Sequence, residues 1–322
     1  MAALAWLLMG LTGAQAEGSV PGEKLGLFIT GLSGSHQFQT YFNRAPEYFR
    51  QSLLWNGYRK EELIKFAEDK QGGQEWGASE VAYKKDLLGY LDQLAQRKTP
   101  YEEAFIFIGG HANGRDEEAM LHLPGEDLRY QDLMDKLDAI PAKHLILIVA
   151  APQGEAWIER LAKPHRVIVA GNGYRQYDFI PMQFLRYFLE MFVRGVPRLA
   201  PGQKLRAPSL LDIFVETQQK IRRWYKNNNL YCTELALIDA DGDGKGESLF
   251  AASAGLDASQ KKGEVIPEQA DPKPLPPAAQ ESTVTVPPVI VIEEERLPVN
   301  LDLPDAKMAE AVYFRVKKEE NP

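Results

Sequence analysis

Two loops of the sequence follow apolar runs and occupy places where enzymes keep reactive side chains. The run EAFIFIGG, residues 103–110, leads into His111, whose imidazole can act as a base near neutral pH. The run HLILIVA, residues 144–150, leads into a turn that contains Ala151 and Pro152. Sites in parallel α/β sheets form beyond the carboxyl ends of the strands, so neighbouring strands would place His111 opposite Ala151. A base in such a position usually activates a nucleophile, yet this turn offers no Ser, Thr or Cys.

A third candidate site is the acidic loop DADGDGKGE, residues 239–247. Its four carboxylates are those of Asp239, Asp241, Asp243 and Glu247. Calcium prefers oxygen ligands at alternate positions of a loop, and Gly244 allows the sharp turn that such loops need. The twelfth position of an EF-hand pattern would be Phe250 instead of a bidentate Glu. The loop is therefore either a weak calcium site or a solvated, glycine-rich turn.

Strand and helix patterns alternate from residue 24 onward. Strands are predicted within 24–34, 61–69, 103–114, 144–151, 165–173 and 233–240. Helices are predicted over 36–56, 77–98, 131–140, 154–162, 181–194 and 209–228. A small hairpin with a Pro-Gly turn is predicted over 119–130. Strands that are apolar throughout and separated by helices indicate α/β, a three-layer α/β/α sandwich around a mostly parallel sheet of roughly six strands.

The ends of the chain differ in composition from this central part. Residues 1–16 are apolar and end in Ala-Gln-Ala, which is typical of a secretory signal peptide. The α/β domain is expected over 17–255. Residues 256–305 are rich in Pro and Glu and are interpreted as a flexible linker, followed by a short segment at 306–322. We expect an exported protein, periplasmic or extracellular, with no membrane span once the signal is removed.

Charge and cysteine content restrict the function further. The formal net charge of the 322 residues is -8, which argues against a nucleic-acid-binding protein. The single cysteine, Cys232, excludes an intramolecular disulfide, and no Cys/His cluster has the spacing of a zinc site. Apart from the possible calcium, no cofactor is expected.

The His loop, the segment LHLPGEDLRYQDLMDKLDAI and the strand LILIVAAPQG together resemble the legumain family of cysteine peptidases, which shares an α/β/α fold with the caspases. The resemblance runs from about residue 24 to 250 and is strongest from 104 to 173. In that family a His-Gly pair ends one strand and Glu-Ala-Cys-x-Ser-Gly ends the next. Here Ala112 follows His111, and Ala151 stands at the position of the nucleophilic Cys. The family's pocket arginine corresponds to Ser35 in a loose match.

The resemblance implies a degenerate peptidase, because an alanine methyl has neither a lone pair nor an ionisable proton. We expect a catalytically inactive pseudopeptidase that serves as an exported binding or scaffolding module for a protein or peptide partner. The expected groove comprises Ser35, His36, Gly110, His111, Ala151 and Asn172. One alternative is a hydrolase in which His111, with Asp116, Glu117 or Asn172, activates water. Another is a calcium-stabilised structural domain.

Overall fold

The computed structural model describes residues 22–34, 36–70, 75–114, 118–173, 182–194, 208–230, 232 and 234–248. The chain divides into two compact units, Met1–Val149 and Ala150–Pro322, and each is described by itself. The predicted signal peptide, linker and C-terminal segment lie outside the described residues, as do Ser35, Asp116 and Glu117.

The described part of the first unit contains strands interspersed with helices. In chain order they are β1 (Lys24–Thr30), α1 (His36–Trp55), β2 (Leu63–Ala67), β3 (Ala78–Val81), α2 (Lys84–Ala95), β4 (Tyr101–Gly109), β5 (Ala112–Asn113), β6 (Met120–Leu121), β7 (Leu128–Arg129), α3 (Tyr130–Asp138) and β8 (Ala142–Ala150). The larger sheet has the order β8-β4-β1-β2-β3. Strand β1 pairs in parallel with both β2 and β4, with Phe28 opposite Phe107.

The core of this unit explains why its strands are apolar throughout. Phe105 and Phe107 of β4 are fully buried, and both of their rings contact Phe49 of α1, with centroids 5.3 and 5.1 Å apart. A strand that is covered on both faces leaves no position for alternating polar residues. The predicted helix 36–56 and its apolar stripe, which includes Phe42 and Phe49, are confirmed.

The described part of the second unit contains three helices and two strands. They are α4 (Gly154–Leu161), β9 (Arg166–Ala170), α5 (Met182–Arg194), α6 (Leu210–Asn227) and β10 (Leu237–Asp239). Strands β9 and β10 are antiparallel, with Val169 opposite Ile238. The fold class predicted from the sequence, α/β with a mostly parallel sheet, is confirmed. Across the described residues, no helix has both the length and the apolar character needed to cross a bilayer.

The prediction of one helix over 77–98 is wrong in its first part. Residues 78–81 form β3, which pairs in parallel with β2, and the backbone N–H of Gly77 donates to the carbonyl of Leu63 at 2.9 Å. The helix begins only after Tyr83, whose backbone is extended. Val81, which falls within the predicted helix, therefore lies in a strand. The prediction did not include this short strand. With it, the described residues form seven strands in addition to the three of the small hairpin sheet, where roughly six were predicted.

The hairpin predicted over 119–130 is confirmed. Strands β6 and β7 are antiparallel, and Gly125 in the turn between them has a φ of +87°. Strand β5 adds a third strand next to β6, directly after His111. The hairpin is thereby attached to the same loop as the candidate histidine.

Candidate functional site

The loops at the carboxyl ends of β1 and β4 are connected by backbone hydrogen bonds around His111. The N–H of Gly31 donates to the carbonyl of Gly109 at 2.9 Å, and the N–H of Leu32 donates to that of His122 at 2.8 Å. The N–H of His122 in turn donates to the carbonyl of His111 at 3.0 Å. The N–H of His111 donates to the carbonyl of Leu32 at 3.4 Å, so the main chain of His111 is held by residues from two other segments.

Two glycines allow these loops to approach so closely. A Cβ added to Gly31 would lie 2.3 Å from the carbonyl oxygen of His122. Gly110 has a φ of +150°, and a Cβ there would lie 3.0 Å from the backbone nitrogen of Gly31. Since larger residues would separate the strands' ends, both positions are occupied by glycine for steric reasons.

The imidazole of His111 lies in a half-buried cradle of apolar and small residues. The ring of Phe38 meets it edge-on at 5.0 Å between centroids, and that of Phe42 at 6.5 Å. Gly34 has a φ of +68°, and a Cβ there would lie 2.9 Å from Nε2 of His111. Nε2 is buried, and among the described residues it has no hydrogen-bond partner. An unpaired buried nitrogen of this kind costs free energy, and a bound hydrogen-bonding group would recover it.

The surroundings favour the neutral form of this histidine. Burial lowers the pKa of His111 below its ordinary value. A hydrogen bond to the backbone of Ser33 acts in the opposite direction, and the nearby His122 lowers the pKa again. At neutral pH the ring is therefore uncharged, and its Nε2 can form one hydrogen bond with a ligand.

Two polar pairs flank the histidine, and sequence reasoning missed both. The N–H and the hydroxyl of Ser33 donate to Oε2 of Glu68 at 3.3 and 2.7 Å. Nδ1 of His122 lies 2.9 Å from Oδ2 of Asp127. Ser33 and Glu68 follow β1 and β2, so the strand-end rule that selected His111 could have found them.

In the second unit, the AAPQG turn is tied to the segment after β9. Ala151 is fully buried, and Gln153 has a left-handed backbone with a φ of 60°. The N–H of Gly154, the first residue of α4, donates to the carbonyl of Asn172 at 2.7 Å. Asn172 is also fully buried, which favours a role in holding the turn. The turn thus holds the methyl group of Ala151 in a buried position.

The structure brings the predicted groove residues together in two sets. Gly110 and His111 lie side by side in the first unit, and Ala151 and Asn172 are joined through Gly154 in the second. His36 begins α1, and its side chain lies outside the described part of the chain.

The carboxylates of the acidic loop already accept hydrogen bonds from the loop itself. Asp239 accepts from the N–H groups of Gly242 and Gly244, both at 2.8 Å, with one carboxylate oxygen each. Oδ1 of Asp243 accepts from the N–H of Lys245 at 2.7 Å. Oδ1 of Asp241 accepts from the N–H of Asp243 at 3.0 Å, while the backbone of Glu247 pairs with that of Ile238. Among the described residues, no three or more His, Cys, Asp or Glu side chains are grouped to hold a metal ion.

Asp239→Asn is expected to destabilise the protein by about 1–3 kcal/mol, because the amide nitrogen would replace one acceptor and leave a loop N–H unpaired. Urea unfolding of the full chain, in excess calcium and in excess EGTA, measures this. We expect the same loss in both conditions if the carboxylate serves only the turn. A loss confined to the calcium samples would identify the loop as an ion site.

Comparison with known proteins finds similarity among solved structures only. No family model and no curated protein matches the sequence. The chain is similar to the initiator caspase Dronc of Drosophila, at 10% identity and a TM-score of 0.42, over 70% of this chain and 82% of that one. It is also similar to caspase-1 of Spodoptera frugiperda, at 13% identity and a TM-score of 0.43, over 68% of this chain and 89% of that one.

Proposed function

We propose that this chain is an exported pseudopeptidase of the legumain and caspase type, which binds a protein or peptide partner and does not cleave it. The observation that carries the proposal is the buried methyl of Ala151 at the position that matches the nucleophile in the resemblance. Covalent cleavage of a peptide bond needs an atom that can attack the carbonyl carbon. A methyl group has no lone pair for that step.

Cys232 is not a suitable replacement for the missing thiol. Burial raises the pKa of Cys232, and its Sγ donates to the backbone carbonyl of Glu234 at 3.6 Å. A reactive cysteine needs a lowered pKa, because the thiolate is the nucleophile. This thiol stays protonated at neutral pH and serves as a hydrogen-bond donor.

The surroundings of His111 support a role in binding. Its Nε2 is buried, has no hydrogen-bond partner in the part of the chain that the structure describes, and lies in a cradle formed in part by Gly34 and Phe38. A peptide backbone carries N–H and C=O groups at regular intervals, and one of these groups placed against Nε2 would satisfy the nitrogen. The neutral state of the ring is suited to such an uncharged partner.

Turnover distinguishes this proposal from the hydrolase alternative. The full mature chain is incubated with a diverse library of quenched fluorescent peptides, beside the His111→Ala variant. We expect no cleavage by either protein above the rate in buffer. Cleavage by the wild type that disappears in the variant would contradict the proposal and favour water activated by His111.

Binding is tested with the same peptides, unquenched and immobilised. We expect some to bind the wild type saturably and to bind His111→Ala about fivefold more weakly, which corresponds to one hydrogen bond of about 1 kcal/mol. His144→Ala is the matched control, because His144 is an exposed histidine near the start of β8. An equal loss in both variants, or no saturable binding at all, would refute the proposed role of His111.

A further inference from the structure

Glu234 in the second unit is a buried carboxylate held between two helices. Its residue is only 7% exposed. Oε1 accepts from the backbone N–H of Gln183 at 3.1 Å, and Oε2 accepts from that of Phe184 at 2.7 Å, both in the first turn of α5. The hydroxyl of Tyr225, in α6, also donates to Oε1, at 3.0 Å. The carboxylate therefore occupies the place of a cap for α5, although it comes from a distant part of the chain.

The charge of Glu234 has no cationic partner among the described residues. The titratable groups that face it are Tyr187 of α5, Tyr225 of α6 and Cys232 of its own segment. Three arginines lie near these groups. Arg186 and Arg223 oppose the rise in the pKa of Tyr187, and Arg222 opposes the rise in the pKa of Cys232. Hydrogen-bond dipoles alone stabilise the anion, so its burial remains costly.

The segment that carries Glu234 also holds the loop after β9. The carbonyl of Leu235 accepts from the N–H of Gly173 at 2.6 Å, and that of Ala236 accepts from Nε2 of Gln218 in α6 at 3.0 Å. Gly173 follows Asn172, whose carbonyl holds the start of α4. One short segment thus connects the two helices to the loop that fixes the AAPQG turn.

We propose that Glu234 is a proton-operated latch, which in its protonated form holds α5, α6 and the loop at residues 172–173 together more tightly than in its charged form. In the protonated form Oε2 still accepts from the N–H of Phe184, so α5 keeps its cap. No buried negative charge then remains. Protonation of Glu234 changes the stability of the fold and its local opening, independently of any ligand that the chain binds.

The direction of the pH dependence follows from the burial of this group. Burial raises the pKa of Glu234 to about 7, against the opposing effect of its three hydrogen bonds. In the unfolded chain the carboxyl keeps an ordinary pKa of about 4.3. The folded state therefore binds the proton more strongly than the unfolded chain does. The resulting stabilisation of the fold is complete below the pKa of the unfolded chain. Between these two pKa values the folding equilibrium constant falls about tenfold per pH unit, and the stabilisation is lost as the pH rises through about 7.

Urea unfolding of the full chain from pH 4 to 8, for the wild type and Glu234→Gln, measures the latch. We expect the folding constant of the wild type to fall about tenfold per pH unit relative to the variant between roughly pH 5 and 6.5. The matched control is Glu190→Gln, which changes a half-exposed carboxylate of α5 that pairs with Lys220. Its profile should run parallel to that of the wild type. Parallel profiles for wild type and Glu234→Gln would overturn the proposal.

Amide hydrogen exchange tests the connection to the loop. After correction for the intrinsic rate, the N–H groups of Phe184 and Gly173 should be less protected at pH 8 than at pH 5.5 in the wild type, and equally protected at both in Glu234→Gln. A change at Phe184 without one at Gly173 would refute the coupling.

If Glu234→Gln does not fold, Tyr225→Phe removes a bond that lowers the pKa of Glu234, so the transition must move to higher pH. An unmoved transition would overturn the latch.

Discussion

Gly31→Ala is expected to destabilise the protein by about 3 kcal/mol, the upper end of the usual range for overpacking. The new methyl would lie 2.3 Å from the carbonyl oxygen of His122, which is well inside van der Waals contact. This obstacle is a main-chain atom, so no change of rotamer can remove it. Relief requires the hairpin to move away, which breaks the bond from the N–H of Leu32 to His122.

Urea unfolding of the full chain, followed by far-UV circular dichroism, measures this loss as a lower midpoint. Gly89→Ala is the matched control. Gly89 is exposed in α2, and a Cβ there would meet nothing within 4 Å. That change is expected to stabilise the protein by up to about 1 kcal/mol, because alanine favours a helix more than glycine does. A Gly31→Ala protein as stable as the wild type would show that the loops around His111 are not held as described.

The strands and helices that position the site were largely predictable, because their signals are local. The run ending at Gly109 is apolar on both faces, and the stripe containing Phe42 and Phe49 has helical spacing. The strand Ala78–Val81 was not predictable in the same way. Its four residues are strand only because β2 pairs with them, and their own pattern continues into the helix that follows.

The candidate site was also only partly predictable from the sequence. The strand-end rule placed His111 at the carboxyl edge of the sheet, and the structure has it there. The apolar cradle around its ring depends on Phe38 and Gly34, which come from a loop and helix some seventy residues earlier in the chain. Spacing along the sequence cannot reveal such a contact. Glu234 was likewise read as part of a strand, and its role at α5 depends on a hydrogen bond across about fifty residues.

Gly154→Ala is the second substitution with a large expected effect, again about 3 kcal/mol. A Cβ at this position would lie 2.3 Å from the carbonyl oxygen of Asn172 and 2.5 Å from the Cβ of Ala170. The same carbonyl accepts the N–H of Gly154 at 2.7 Å, so moving apart would also break that bond. Both obstacles are rigid, and the adjacent left-handed Gln153 leaves the turn little freedom to adjust.

The matched control for this change is Gly244→Ala, in the acidic loop of the same unit. Gly244 has a φ of +81°, yet a Cβ there has no neighbour closer than 3.9 Å. It should cost only the strain of a left-handed alanine, about 1–2 kcal/mol. Midpoints of urea unfolding for the two variants separate steric exclusion from backbone strain, and equal losses would contradict the clash at Gly154. A larger loss at Gly154 would mean that packing maintains the path of the AAPQG turn even though its residues offer no nucleophile. The geometry of the loop would then follow from the packing of the fold alone.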